Sequence, residues 1–265
     1  MPELPEAERA RQVLDRAAVG RTIARVDDHD PFVCRPHGAG EIDAVLRGAT
    51  VTAAHRRGKH LWLETDAGVD LSLHLGMSGS FRVDEPEAPR GWDRFALEFE
   101  DGTRVALRDK RRLGRALLDG ARGRLGPDAA AVTRDAFRTR VGGSRAAVKA
   151  RLLDQSALAG VGNLLADEAL WRARIDPRAP GTSLDVESLD RLRVALRASI
   201  RAALLPNAGS GAGTFARARR KGYCPRCGSP LSRATVGGRT TYWCPSEQLG
   251  APAPAKGEAA AYRGT

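Results

Sequence analysis

The chain has 265 residues, and its 43 Lys+Arg, only five of them lysine, outweigh 32 Asp+Glu for a formal net charge of +11. At 42% hydrophobic and 28% charged, the composition is that of a soluble globular protein with room for one large or two medium domains, which excludes collagen-like, disulfide-scaffold and wholly disordered chains. The arginine excess points to a polyanionic partner, because the planar guanidinium suits phosphates and guanine edges; a basic proteome bias is the bland alternative.

The start, MPELPEAE, is acidic where a secretory leader is basic, and no run approaches the ~18 uncharged apolar residues of a membrane span, so an intracellular protein is expected. Residues 6–18 read as a helix: Pro5 suits a first helical position, Ala10, Val13, Leu14 and Ala17 share a face, and Gly20 stops it. Alternating runs at 21–26, 49–54, 59–64, 69–75, 94–100 and 103–108 read as strands, with Asp101-Gly102 a hairpin signal. Short strands without intervening helices predict an antiparallel sandwich over residues 1–115. A Gly/Arg-rich stretch follows, read as a hinge linker over 116–127.

The pattern then turns helical over 128–205, with helices expected at Thr133–Val141, Ser144–Gln155, Asn163–Ile175 and Asp185–Leu205. In the last, Leu189, Leu192, Leu196, Ile200 and Leu204 recur at helical spacing. Residues 206–223 read as a flexible Gly/Ala loop ending in the basic cluster Arg217 to Lys221. A small ribbon occupies 224–250, and the Ala/Pro/Gly-rich tail 251–265 is expected to be disordered. The fold class is therefore an α+β multidomain protein: an N-terminal helix plus a two-sheet antiparallel β-sandwich, a helical domain, and a small zinc-ribbon-like β-hairpin, with a cleft between two lobes.

Cys224 and Cys227 form a C-x-x-C knuckle and Cys244 follows seventeen positions later, whereas Cys34 stands apart, so a metal site is expected rather than a disulfide framework. A second knuckle reading C-P-x-C would put a fourth cysteine at Glu247. Three thiolates plus Glu247 or a water could hold Zn2+; a metal-free hairpin with three vestigial thiols is the alternative. In residues 152–177, Gly160 and Gly162 permit positive φ and bring backbone N–H groups close to a ligand. Asn163 would then cap a helix whose N-terminus suits a phosphate. Cys34 with His37 reads as a packed cysteine beside a surface loop histidine, His74 as a structural strand-end residue, and Trp171 as core. Glu3 and Glu6, on residues alone, are favourable charges near a helix N-terminus worth ~0.3–1 kcal/mol.

Four separated stretches carry a resemblance that spans nearly the whole chain: MPELPE; RRGKHLWLE with HLGMSG; DQSALAGVGNLLADE; and the ribbon with GRTTYWCP. In order and spacing the chain resembles the formamidopyrimidine-DNA glycosylase / endonuclease VIII family of base-excision repair enzymes. The resemblance implies a bifunctional DNA glycosylase and abasic-site lyase. Pro2, freed by removal of Met1, would be the nucleophile, an α-amine needing no special tuning near its reference pKa of ~8. Glu3 would be the general acid/base, Glu6 a supporting carboxylate, and Lys59 a grip on a phosphate near the lesion.

The helical domain would be a helix-two-turns-helix unit. Met77, Arg111 and Leu113 would fill the gap left by the everted nucleotide, Leu113 standing where purine-preferring members usually have Phe. Asn163 and Arg239 would hold phosphates around it. The segment Pro206 to Tyr223 leaves little length for a lesion cap. That favours oxidised pyrimidines, ring-opened purines, hydantoins or abasic sites over 8-oxoguanine, while MPELPE looks more like the purine branch. The implied partner is double-stranded damaged DNA, with no membrane, the implied state a monomer, and the implied location cytoplasmic and nucleoid-associated. A catalytically silent damaged-DNA-binding relative and an RNA-binding zinc-ribbon protein are the rival readings.

Overall fold

A computed structural model describes residues 2–84, 91–120, 125–205 and 213–249; the tail 251–265 and residues 206–212 of the expected loop lie outside it. In chain order the N-terminal lobe contains α1 (Leu4–Ala18), β1 (Ile23–Asp27), α2 (Glu41–Leu46), β2 (Val51–Arg57), β3 (His60–Thr65) and β4 (Leu71–His74). It continues with β5 (Ser80–Asp84), β6 (Asp93–Phe99), β7 (Arg104–Arg108) and β8 (Arg115–Leu118). The strands form two four-stranded antiparallel sheets, ordered β1-β6-β7-β5 and β2-β3-β4-β8. Leu61, Leu63, Leu71 and Leu73 of one sheet and Phe95, Leu97, Val105 and Leu107 of the other meet in a single core. Ala10, Leu14 and Ala17 of α1 close it.

Three elements of this lobe escape the sequence pattern. Residues 115–118, expected at the edge of a linker, are the strand β8, which pairs with β4 and buries Ala116. The sandwich therefore runs to Leu118, past the expected boundary at 115. β5 hides behind a Ser/Gly-rich start. α2 is only six residues long, and its first turn is capped from afar: Asp28 accepts N–H bonds from Gly40 (2.7 Å), Ile42 (2.8 Å) and Asp43 (3.2 Å).

The helical lobe contains α3 (Arg134–Phe137), α4 (Val148–Leu153), α5 (Asn163–Ala173), α6 (Val186–Leu204) and α7 (Thr214–Lys221). α3 runs into a π-helical turn at Arg138–Gly142. α6 begins on Asp185, whose side chain accepts the Ser188 N–H at 2.7 Å. α7 lies inside the stretch read as a flexible loop. The small unit is a hairpin of β9 (Ser232–Val236) and β10 (Arg239–Trp243). Trp171, expected in the core, is buried in a core cluster with Phe215, Cys224 and Cys244. Cys34 is fully buried, and His37 is half-buried with Nε2 accepting the Leu118 N–H at 3.2 Å, not a free surface histidine.

Candidate active site

Although α1 belongs to the sandwich, its first residues are held by the helical lobe. The Leu4 side chain is fully buried in the core that contains Leu158, Val161 and Leu165, worth ~1.5–3 kcal/mol. Its N–H donates to Gly160 O at 3.1 Å. The Glu3 carboxylate, 4% exposed, accepts N–H bonds from Leu164 (2.8 Å), Leu165 (3.0 Å) and Gly162 (3.2 Å). These are the donors that the start of a helix leaves without intrahelical partners, at its positive end.

The helix N-terminus expected to receive a phosphate is thus filled by the chain's own carboxylate. Gly162, not Asn163, is the N-cap residue of α5. Gly162 is extended (φ −118°), so it is glycine for space: a Cβ there would collide with the Glu3 carboxyl. Gly160 does have positive φ (+107°), and its Cβ would also lie 2.7 Å from Leu4 Cδ1. Burial pushes the Glu3 carboxyl above its ordinary value; the N–H groups of Leu164 and Leu165 and the Lys59 charge pull it back incompletely. A carboxyl so raised keeps a protonated fraction further toward neutrality, which suits a proton donor.

Pro2, Glu3 and Glu6 line one side of a cavity of about 550 Å3, faced by Met77, Phe81, Leu164, Glu168 and Ala216. Glu6 Oε2 accepts the Glu3 N–H at 3.0 Å, so its position supports the turn that carries Glu3. Lys59 Nζ donates to Val161 O at 2.9 Å, and burial pushes its pKa below the ordinary lysine value, with Glu3 opposing and Arg239 adding to the shift. Gln155 Nε2 donates to the same carbonyl at 3.0 Å. Asn163 Nδ2 reaches Thr240 O on the hairpin at 3.1 Å, while its buried Oδ1 has no partner. Arg239 stands exposed at the start of β10. The turn before α5 thus brings Glu3, Lys59, Asn163 and the ribbon tip into one region.

Met77 and Leu113 are apolar yet exposed, at 43% and 40%, and Arg111 is exposed beside them. Their two loops are one unit. A Cβ on Gly76, which has φ +59°, would collide with the Leu113 backbone, so the loops touch main chain to main chain. Buried Asp109 accepts from Ser78 Oγ (3.0 Å) in one loop and from the N–H groups of Arg111 (3.0 Å), Leu113 (2.7 Å) and Gly114 (2.8 Å) in the other. Burial pushes its carboxyl up, but these donors outweigh it and hold it below the ordinary carboxylate value. His74 is structural: Nδ1 accepts the Gly76 N–H at 3.0 Å, and burial, with His60 and Lys59, lowers its pKa to about 4.

Two features went unread in the sequence. Glu168, buried in the cavity wall, accepts the Phe215 N–H (2.8 Å) and pairs with Arg172 Nε (2.8 Å), fixing the start of α7. Lys149 and Asp167, both fully enclosed, pair at 2.6 Å, with Arg219 3.2 Å from Asp167 and Thr241 Oγ1 2.7 Å from Lys149. The signal was there: D-E at positions 167–168 on an Ala/Leu-rich helix is too polar for a wholly buried face without partners. In the ribbon, the sulfurs of Cys224, Cys227 and Cys244 lie within 4.8 Å of one another. Glu247 is not among them; its carboxylate pairs with Arg226 and Arg174 instead.

Residues 1–116 match the formamidopyrimidine-DNA glycosylase N-terminal domain, residues 125–214 its H2TH domain, and residues 224–246 the zinc finger found in FPG and IleRS. The chain belongs to the formamidopyrimidine-DNA glycosylase family. A formamidopyrimidine-DNA glycosylase of Nocardioides sp. is 38% identical over 99% of this chain and 98% of its own length. Among solved structures, the Lactococcus lactis Fpg in complex with abasic-site DNA superposes with TM-score 0.81 at 28% identity, covering 94% of this chain and all of that one. The Thermus thermophilus protein matches with TM-score 0.78 at 35% identity, over 95% of this chain and all of that one.

The three clustered thiols suit a structural zinc of this glycosylase family: thiolate is the preferred soft donor, and convergence of three without a disulfide is what a shared cation asks for. No helix among the described residues is long and apolar enough to cross a membrane.

Proposed function

We propose that the chain is a bifunctional DNA glycosylase and abasic-site lyase that removes oxidised bases from duplex DNA, acting as a monomer at the nucleoid. The observation that carries this reading is Glu3, held by three backbone N–H groups next to Pro2 at the mouth of the cavity. Once Met1 is removed, the Pro2 nitrogen lone pair attacks C1′ of the everted nucleotide. The C1′–base bond breaks, its electron pair leaves with the base, and the proton lost from the Pro2 nitrogen neutralises the departing base. The Glu3 carboxyl protonates O4′ as the C1′–O4′ bond opens, which leaves a Pro2 iminium. Loss of a C2′ proton then expels the 3′ phosphate, and a second elimination expels the 5′ phosphate.

Lys59, Asn163 and Arg239 grip phosphates around the everted nucleotide: Asn163 Nδ2 gives one N–H to Thr240 O and has a second for a phosphate oxygen, and the Arg239 side chain is exposed. Met77, Arg111 and Leu113 enter the gap beside the orphaned base. The Lactococcus relative solved with abasic-site DNA supports the same class of ligand here. The stretch 206–223, short for a lesion cap, favours ring-opened purines, oxidised pyrimidines, hydantoins or abasic sites over 8-oxoguanine.

Borohydride trapping on an abasic-site duplex tests the reading. A covalent adduct mapped to Pro2 is expected, and Pro2→Gly should reduce trapping strongly. Mature protein that gives no adduct, yet binds the duplex, would establish the silent DNA-binding alternative. A panel of lesion duplexes then ranks the substrates.

A further inference from the structure

In a C-P-x-C knuckle the residue three places after Cys244 would be the fourth thiolate, and here it is Glu247. Carboxylate is an acceptable zinc ligand, so Glu247 is the obvious replacement. Its geometry argues otherwise. Glu247 Oε2 lies 2.8 Å from Arg226 Nη1 and 3.4 Å from Arg174 Nε. Arg226 is itself fixed: its guanidinium sits 4.3 Å over the Trp171 ring, and Nη2 donates to Trp171 O at 3.4 Å. Arg174, in left-handed conformation, ends α5. The carboxylate therefore ties the ribbon to the end of α5 through two guanidiniums, one bracketed by an aromatic face.

To reach the thiol cluster, Glu247 would have to abandon both pairs and leave two arginines uncompensated. Cys227 is the exposed member of the cluster, and its Sγ lies 3.4 Å from the small hydroxyl of Ser229, with Ser246 Oγ 3.1 Å from that hydroxyl.

We propose that zinc in this chain is held by the three thiolates alone, that its fourth coordination position is open to a small exogenous ligand, a thiol or an imidazole, and that Glu247 is a docking residue rather than a metal ligand. Structural zinc sites are closed by four protein ligands, whereas an open position is what lets zinc exchange ligands. The ribbon finger is then at once a structural element and a site of exogenous ligand binding, independent of the chemistry at Pro2.

The test uses the full chain loaded with Co(II), whose thiolate charge-transfer and d–d absorption report donor number and type. Titration of the wild-type protein with imidazole, and separately with 2-mercaptoethanol, is expected to give a saturable change in the d–d bands. Glu247→Cys should gain charge-transfer intensity and lose the response. Glu247→Gln should keep the wild-type spectrum and hold Co(II) and Zn(II) within about threefold of wild type in chelator competition. The proposal is overturned if wild type ignores both ligands, if Glu247→Gln alters the spectrum or weakens metal binding more than about tenfold, or if the chain takes up no metal. The wild-type titration needs no variant, so a folding defect in either substitution leaves the decision intact.

Discussion

Glu3 shows how much one side chain is asked to do. Its carboxyl is desolvated, faces three N–H donors, and is raised above its ordinary value by burial. A carboxyl raised on folding contributes stability that is fully present below the unfolded value, 4.5, and is lost as pH rises through the raised one. Glu3→Gln removes this titration. The stability of wild type relative to Glu3→Gln is therefore expected to fall as pH is raised from about 4 to 8, read from urea midpoints across that range. A difference that is flat or rises with pH would contradict the burial argument. Base release by the variant should drop by at least about 100-fold, the usual scale for a lost general acid. The role of Glu3 was legible only through the PELPE resemblance; charge near a helix start is common, and the helix it caps is not its own but α5.

At the scale of elements, the paired loops proposed to act as wedges are held together by Asp109. Removing its carboxylate strands the Ser78 hydroxyl and the N–H groups of Arg111, Leu113 and Gly114, each bond to a charged acceptor being worth ~1.5–3 kcal/mol. Asp109→Ala is expected to fold but to weaken lesion-duplex binding about tenfold, equivalent to ~1.4 kcal/mol, measured by fluorescence anisotropy. Unchanged affinity would detach Asp109 from the wedge. The element-level reading of the sequence succeeded where burial alternates along a run, as in β3 and β4, and where apolar residues share a helix face, as in α6. It failed where the stabilising partner is distant: α2 is capped by Asp28 and α7 by Glu168. β8 is four residues long and exists because β4 offers an edge. For Gly162 the sequence suggests both a freed φ and a close approach of backbone N–H to a ligand; only the second holds, and the group approached is the Glu3 carboxyl from the other end of the chain.

Across the whole molecule, the arginine excess divides into two populations. Many guanidiniums are internal fittings, such as Arg56, which joins Glu8 of α1 at 2.8 Å to Asp128 of the helical lobe at 2.5 Å. Others, including Arg111 and Arg239, remain exposed around the cleft. The ribbon is fastened by a different cation. Lys149 is enclosed against Asp167 and Thr241, so Lys149→Met leaves a buried carboxylate with Arg219 as its remaining cation and the Tyr242 backbone as a hydrogen-bond donor. A loss of ~3–5 kcal/mol is expected in urea denaturation. The double variant with Asp167→Leu should recover much of it, because an apolar pair carries no desolvation penalty. A single variant as stable as wild type would mean the pair is not enclosed in solution. The contacts of Glu3 and Leu4 with residues 160–165 have a temporal consequence as well. They span about 160 positions of chain, so loop closure must precede any reward from them. The sandwich has all its strands by residue 118, but the proposed catalytic corner does not exist until the helical hairpin has been synthesised and has docked. A nascent chain thus carries its proposed nucleophile for most of its synthesis without the means to use it.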